Sequence, residues 1–241
     1  MRAILFDFGG TLDFPRHWLD RFTTHYQAAG LELDRADLEP AFTFATRRAY
    51  GNSASLRDFN LSQLVAFLVN AQFQVLQFAH KFRQQLPASE NALDRLRRQI
   101  CDSFVAESVI GLGKTRLLLA ALSCSFRIAI VSNFYGNLHR IVADAGLSPL
   151  ISVITDSGLL GFHKPDPRIF AASLSSLGVE ARRAVMVGDS LTKDCAPARK
   201  MGMKTIWLRH RETHGYQPPA ELVDVTIDSL EELTDLQWIA D

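Results

Sequence analysis

Cysteine is scarce in this chain. Its 241 residues include only Cys101, Cys124 and Cys195, which lie too far apart for a disulfide framework and match no metal-binding spacing. A reducing compartment follows, and a cytoplasmic location is the expectation. Excess charge is missing too, since 26 basic residues balance 26 acidic ones. No long-range field draws the chain to nucleic acid or anionic lipid, and neither is expected as a partner. Long apolar runs are absent. The longest are broken by Gln, Asn, Arg or Lys, which argues against a transmembrane span. The first residues read as a core strand, not as a basic patch followed by an apolar signal segment. There is no internal repeat and no low-complexity tract. What remains is a globular chain, 47% hydrophobic, with room for one large domain or a core plus an inserted module.

Four short stretches in it carry chemistry. Ala3 to Phe6 is an apolar run of the kind that forms a parallel strand buried on both faces. It stops at Asp7, and Gly9 and Gly10 follow, where paired glycines let the backbone turn and approach a ligand. In open α/β sheets ligands bind beyond the carboxyl ends of the strands, so Asp7 stands where a nucleophile or metal ligand is placed. Arg127 to Val131 is a second strand, ending in Ser132 and Asn133. Lys164 sits between His163 and Pro165 in a loop framed by Pro165 and Pro167. Ala184 to Gly188 is a third strand, ending in Asp189, with Asp194 five residues on. Nucleophile, hydroxyl donor, cation and metal carboxylates are the groups a phosphoryl site needs.

Together these stretches resemble the four motifs of the haloacid dehalogenase superfamily, spread over residues 4 to 194. The resemblance implies a Rossmann-like doubly wound parallel α/β core with an inserted all-helical cap. It implies Asp7 as nucleophile, Ser132, Asn133 and Lys164 as phosphoryl ligands, and Asp189 with Asp194 as carboxylates for Mg²⁺. Thr11 is a further hydroxyl donor to phosphate, and the main chain of Gly9 a third metal ligand. Mg²⁺ favours such a set of a few carboxylates and backbone oxygens completed by water.

One position departs from the pattern. Phosphatases of this superfamily usually carry a second Asp two residues after the nucleophile, acting as general acid and base, and here that position is Gly9. Losing such a group costs about 10²–10⁴-fold in rate. Asp13, His17 and His163 are the nearest replacements in sequence. The expected function is hydrolysis of a small phosphorylated metabolite with weakened acid/base catalysis. The alternatives are a 2-haloacid dehalogenase, a phosphonatase with Lys81 as Schiff base, and a non-catalytic binding protein. A monomer or homodimer is expected.

Between residues 14 and 110 no β-alternating run occurs, only helical patterns. They predict helices over 17–29, 34–50, 60–86 and 89–109, and a cap over 14–112, with residues 1–13 and 113–241 as the core. Gly111-Leu112-Gly113-Lys114-Thr115 lacks the earlier glycine and preceding strand of a phosphate loop, and Thr115 is expected to start a separate helix over 116–123. Strands at 151–155, 204–208 and 225–227 complete the sheet, with helices at 137–145, 166–177, 191–201 and 228–236. Arg16, His17, Arg47 and Arg48 are the polar candidates for substrate selection.

Overall fold

The first strand, β1 (Ala3–Phe6), is buried on both faces along its whole length. A computed structural model, which describes residues 1–210, 213 and 215–235, sets it at the centre of a six-stranded sheet. The helical elements that follow it are α1 (Trp18–Ala28), α2 (Arg35–Tyr50), α3 (Ser53–Leu56), α4 (Leu61–Leu76), α5 (His80–Arg83) and α6 (Glu90–Leu122). Strand and helix then alternate through β2 (Arg127–Ser132), α7 (Leu138–Asp144), β3 (Val153–Asp156), α8 (Ser157–Leu160), α9 (Pro167–Leu177), β4 (Ala184–Gly188), α10 (Ala196–Lys200), β5 (Lys204–Leu208) and β6 (Val225–Ile227).

All strands run parallel, in the order β3-β2-β1-β4-β5-β6. The chain builds outward from β1 to β3, then crosses back to β4 and builds the other way. The reversal lies between β1 and β4, and a ligand crevice opens at such a point beyond the carboxyl ends of the strands. Ala3 and Leu5 pack on one side against α9, through Ile169, Phe170 and Leu174. On the other side, Ile4 and Phe6 belong to an apolar cluster that continues through Phe134, Trp18 and Phe104 into α1, α2, α4 and α6. Among the described residues no helix is long and apolar enough to cross a membrane.

Local sequence explains most helix starts. Asp34 and Asp37 form a capping box on α2, and Asn60 and Gln63 another on α4. Ser89 caps α6. Three expectations need correction. The helix expected over 60–86 ends at Leu76, because Ala79 turns extended and α5 swings away. Tertiary contacts hold it there, with Lys81 Nζ on Asp37 at 2.5 Å and the Glu32 N–H donating to Gln85 Oε1 at 2.7 Å. The break expected near Ile110 does not occur. α6 continues for 33 residues, about 50 Å at the α-helical rise, and carries the expected boundary at 112/113 inside it. At the far end the expected helix over 228–236 is a 3₁₀ helix, Leu230–Asp235, and residue 236 lies outside the described residues.

The glycines that suggested a break in α6 have another use. A Cβ on Gly111 would lie 1.9 Å from the main-chain oxygen of Asp13. Gly111 therefore lets α6 touch the backbone that follows β1, and four residues on Thr115 Oγ1 donates to the Leu12 carbonyl at 2.6 Å. Gly113 faces open space. Gly111→Ala should then destabilise the fold by about 2–3 kcal/mol through overpacking against a backbone atom that cannot move aside. Gly113→Ala should stabilise it by about 0.5–1 kcal/mol, the usual gain at an unhindered helix interior. Urea denaturation of the two variants checks both signs.

Candidate active site

Asp7 leaves the end of β1 and is held through one oxygen. Its Oδ1 accepts the Phe8 N–H at 2.7 Å and the Ser132 hydroxyl at 2.8 Å, and pairs with Lys164 Nζ at 2.8 Å. Oδ2 has no hydrogen-bond partner among the described residues. The backbone then makes a kinked turn over Phe8–Leu12, closed by the Asp13 N–H donating to the Phe8 carbonyl at 3.2 Å, with Gly9 extended in ψ and Gly10 at φ +86°. That left-handed φ suits glycine alone at low cost, and a Cβ at Gly10 would also meet Asp189 Oδ2 at 2.9 Å.

Lys164 is buried, although it belongs to a loop. Its ammonium lies between Asp7 and Asp194, 2.6 Å from Asp194 Oδ1. Burial works against the charge, but Asp194 and Asp7 outweigh it and raise the lysine pKa. The loop is tied to the end of β2 by Asn133, whose side-chain amide donates to the Lys164 carbonyl at 2.9 Å and accepts its N–H at 2.6 Å. Asp194 gives its second oxygen to the Ser190 N–H at 3.0 Å. Gly188 makes room for it, since a Cβ there would stand 2.4 Å from Asp194 Oδ2.

Asp7, Asp189 and Asp194 each offer a carboxylate oxygen within 4.8 Å of one another. Among the described residues three acids share one buried ammonium, so the cluster is short of positive charge there. Burial, and then Asp7 and Asp194, push the Asp189 pKa well above the ordinary range, and burial lifts Asp194 to about 6. Carboxylate oxygens in this number and closeness suit a hard divalent cation.

Asp7, Gly9, Ser132, Asn133, Lys164 and Asp189 line one cavity of about 720 Å³, roofed by α2 and walled by His17, Tyr50, His163 and His210. Of the expected site residues, Thr11 is not brought there. It lines a separate cavity formed with α6 and residues 229–231, and its buried hydroxyl has no partner among the described residues. The turn after β1 thus places Thr11 in a different cavity from Asp7. Asp194 lies behind the lining, next to Lys164.

The candidates for the missing acid and base sort differently. Asp13 is fully buried and bound to the Gly10 N–H, Trp18 Nε1–H and Arg21. Arg21 is itself buried, stacks on Phe104 and pairs with Glu107 of α6, so Asp13 anchors the loop and does not line the cavity. Lys81 is exposed and its pKa is raised by its hydrogen bond to Asp37. It lies outside the cavity lining, which removes it as a Schiff-base lysine. Of the four substrate-selection candidates, His17 and Arg47 line the cavity. Arg16 binds Thr24, and Arg48 binds Gln74. Among the residues that sequence reasoning missed are Trp18 and His210. Trp18 Nε1 stands 3.3 Å from where a Gly9 Cβ would be, so the indole borders the space a side chain there would enter. His210 Nε2 lies 2.9 Å from the Gly10 carbonyl and 3.8 Å from Asp189 Oδ2. It arrives from the loop after β5, 200 residues along the chain from Gly10, and no local signal marks it.

Comparison with known proteins bears on this geometry. The model of haloacid dehalogenase-like hydrolases matches residues 1–202. A phosphoserine phosphatase of Thermus thermophilus is 30% identical over 63% of this chain, a match spanning 61% of that protein's length. A phosphoglycolate phosphatase of Rhodospirillum rubrum is 29% identical over 92% of this chain and 84% of its own. A dehalogenase of solved structure, 18% identical, shares the fold with a TM-score of 0.64, over 98% of this chain and 96% of that one. With the family model covering most of its length and the parallel sheet placing an acidic cluster at the crevice, this chain belongs to the haloacid dehalogenase-like hydrolases.

Proposed function

We propose that this chain is a Mg²⁺-dependent phosphatase of small phosphate monoesters, working through an aspartyl phosphate at Asp7. The observation that carries the reading is the state of Asp7, with one oxygen held by three donors and the other without a partner among the described residues, beside a cavity of about 720 Å³. A carboxylate so fixed is aligned for attack by Oδ2, and splitting the displacement into two steps lowers each barrier. Asp7, Asp189, Asp194 and the main chain of Gly9 would hold the cation, which would screen the charge between carboxylate and phosphoryl group.

The other groups then have defined tasks. Ser132 and Lys164 are close enough to Asp7 to pass from its oxygen to those of a phosphoryl group bonded there, carrying charge that grows in the transition state. Asn133 keeps Lys164 in position through the main chain. The acidic excess around Lys164 favours this reading over metal-free dehalogenation. Residues 14–112 act in it as a cap over the core formed by 1–13 and 113–241. The protein acts in the cytoplasm as a monomer or homodimer.

The roof suggests the kind of monoester. Arg47 and Lys193 line the cavity, and neither side chain has an ion-pair partner among the described residues. They would hold a second anionic group, and both relatives named above act, by their names, on phosphate esters that also bear a carboxylate.

Hydrolysis of p-nitrophenyl phosphate should require both Mg²⁺ and Asp7, with Asp7→Asn reduced to background while its unfolding curve stays near that of the native protein. Turnover by Asp7→Asn, or without divalent metal, would refute the reading. Arg47→Ala should raise KM for a carboxylated phosphate monoester by about tenfold, the worth of one charged hydrogen bond, with kcat changed less than about twofold. An unchanged KM would remove Arg47 from substrate binding.

A further inference from the structure

Position 9 bears no side chain, yet charge must still gather on an oxygen leaving phosphorus. Three histidines line the cavity, and their surroundings separate them. His210 Nε2 is engaged with the Gly10 carbonyl. His163 is exposed, stands on the Lys164 side and meets Tyr50 edge-on. His17 lines the cavity at the backbone of Gly10, next in the chain to the residue that borders Gly9. Its Cα lies 3.4 Å from where a Gly10 Cβ would be, and the next residue, Trp18, covers Gly9.

His17 is also the N-cap of α1, and it caps with its ring. Nδ1 accepts the Leu19 N–H at 3.2 Å. A ring nitrogen that accepts a hydrogen bond carries no proton of its own, so the neutral ring keeps its hydrogen on Nε2. Nε2 has no protein partner among the described residues. The amide end of α1 opposes an imidazolium at the same place, and a neutral imidazole so placed is an effective electrophile. Burial is the largest influence holding the His17 pKa below its ordinary value. Asp20 on α1 opposes this, while Lys193 after β4, Arg35 on α2 and His210 after β5 add to it.

We propose that His17 replaces the missing carboxyl as a neutral donor, its Nε2–H holding the leaving oxygen while the ring neither loses nor gains a proton. The assignment rests on the phosphatase reading. Asp7 Oδ2 forms the new bond to phosphorus, the electron pair of the broken P–O bond stays on the leaving oxygen, and that oxygen takes its proton from water. The two half-reactions then become unequal. A fixed Nε2–H steadies a departing oxygen but accepts no proton from the hydrolytic water, so the aspartyl phosphate forms faster than it is cleared.

The test combines spectroscopy with kinetics. Nitrogen-15 NMR of histidine-labelled protein, with His17 identified by its loss in His17→Ser, should report a neutral Nε2–H ring from about pH 5.5 to 8, where an ordinary histidine titrates. His17→Ser retains a capping oxygen for Leu19, so the fold survives the change. It should lower kcat/KM, which reports formation of the aspartyl phosphate, by about 10²-fold for an alkyl phosphate, as loss of one transition-state donor does, and by less than about tenfold for p-nitrophenyl phosphate. The native protein should release p-nitrophenol in a burst of about one equivalent per site. A ring that titrates near its ordinary pKa, an Nδ1–H tautomer, equal losses on both esters or the absence of a burst would overturn the assignment of His17 alone. No turnover by the native protein, whatever the tautomer, would overturn the phosphatase reading and the leaving-group role with it.

Discussion

The buried ammonium of Lys164 is the interaction on which the site depends. It sits between Asp7 at the end of β1 and Asp194 in the turn after β4, so one cation joins two strand ends that would otherwise repel. Removing one partner of such a buried set costs about 3–5 kcal/mol, because the remaining charge stays in a medium that solvates it poorly. The same shortage of positive charge makes the cluster a candidate cation site. Asn133 and Gly188 serve this arrangement indirectly, one by tying down the lysine's main chain and the other by leaving space for Asp194.

A second constraint fixes the backbone that follows Asp7. Gly111 brings α6 into contact with the Asp13 carbonyl, Thr115 binds the Leu12 carbonyl, and Arg21 joins buried Asp13 to Glu107. The turn that carries Gly9 and Gly10 is thus held from below by the same helix that runs up through the helical layer. Trp18 belongs to both arrangements. Its indole N–H binds Asp13 while its ring closes the space over Gly9. A glycine at position 9 is therefore part of a packed unit, and a side chain there would have to displace the indole.

Much of this was legible in the chain itself. β1, β2 and β4 announce themselves as apolar runs that stop at Asp7, Ser132 and Asp189, because a strand buried on both faces must be apolar until it reaches the polar edge of the sheet. Helix starts at Asp34, Asn60 and Ser89 were readable for a similar reason, since a cap satisfies N–H groups only a few residues away. The continuity of α6 was hidden. Glycine reads locally as a breaker, and only the nearness of the Asp13 carbonyl explains Gly111. The surroundings of Thr11 were hidden too, for its place in the motif suggests phosphate and the turn after β1 sets it in a cavity lined by α6.

By itself the sequence determined the fold class and the family, and it singled out Asp7, Ser132, Lys164, Asp189 and Asp194, which the structure gathers at one crevice. Those readings depend on local pattern and on spacing along successive strands. Only the tertiary structure decided what surrounds the vacant position at Gly9. It set Asp13 and Lys81 outside the cavity, and it brought His17 and Trp18 from the start of α1 and His210 from the loop after β5 around the glycines. The physical reason is range. Burial, charge shortage and protonation are set by neighbours in space, and most of those neighbours lie far apart in the chain.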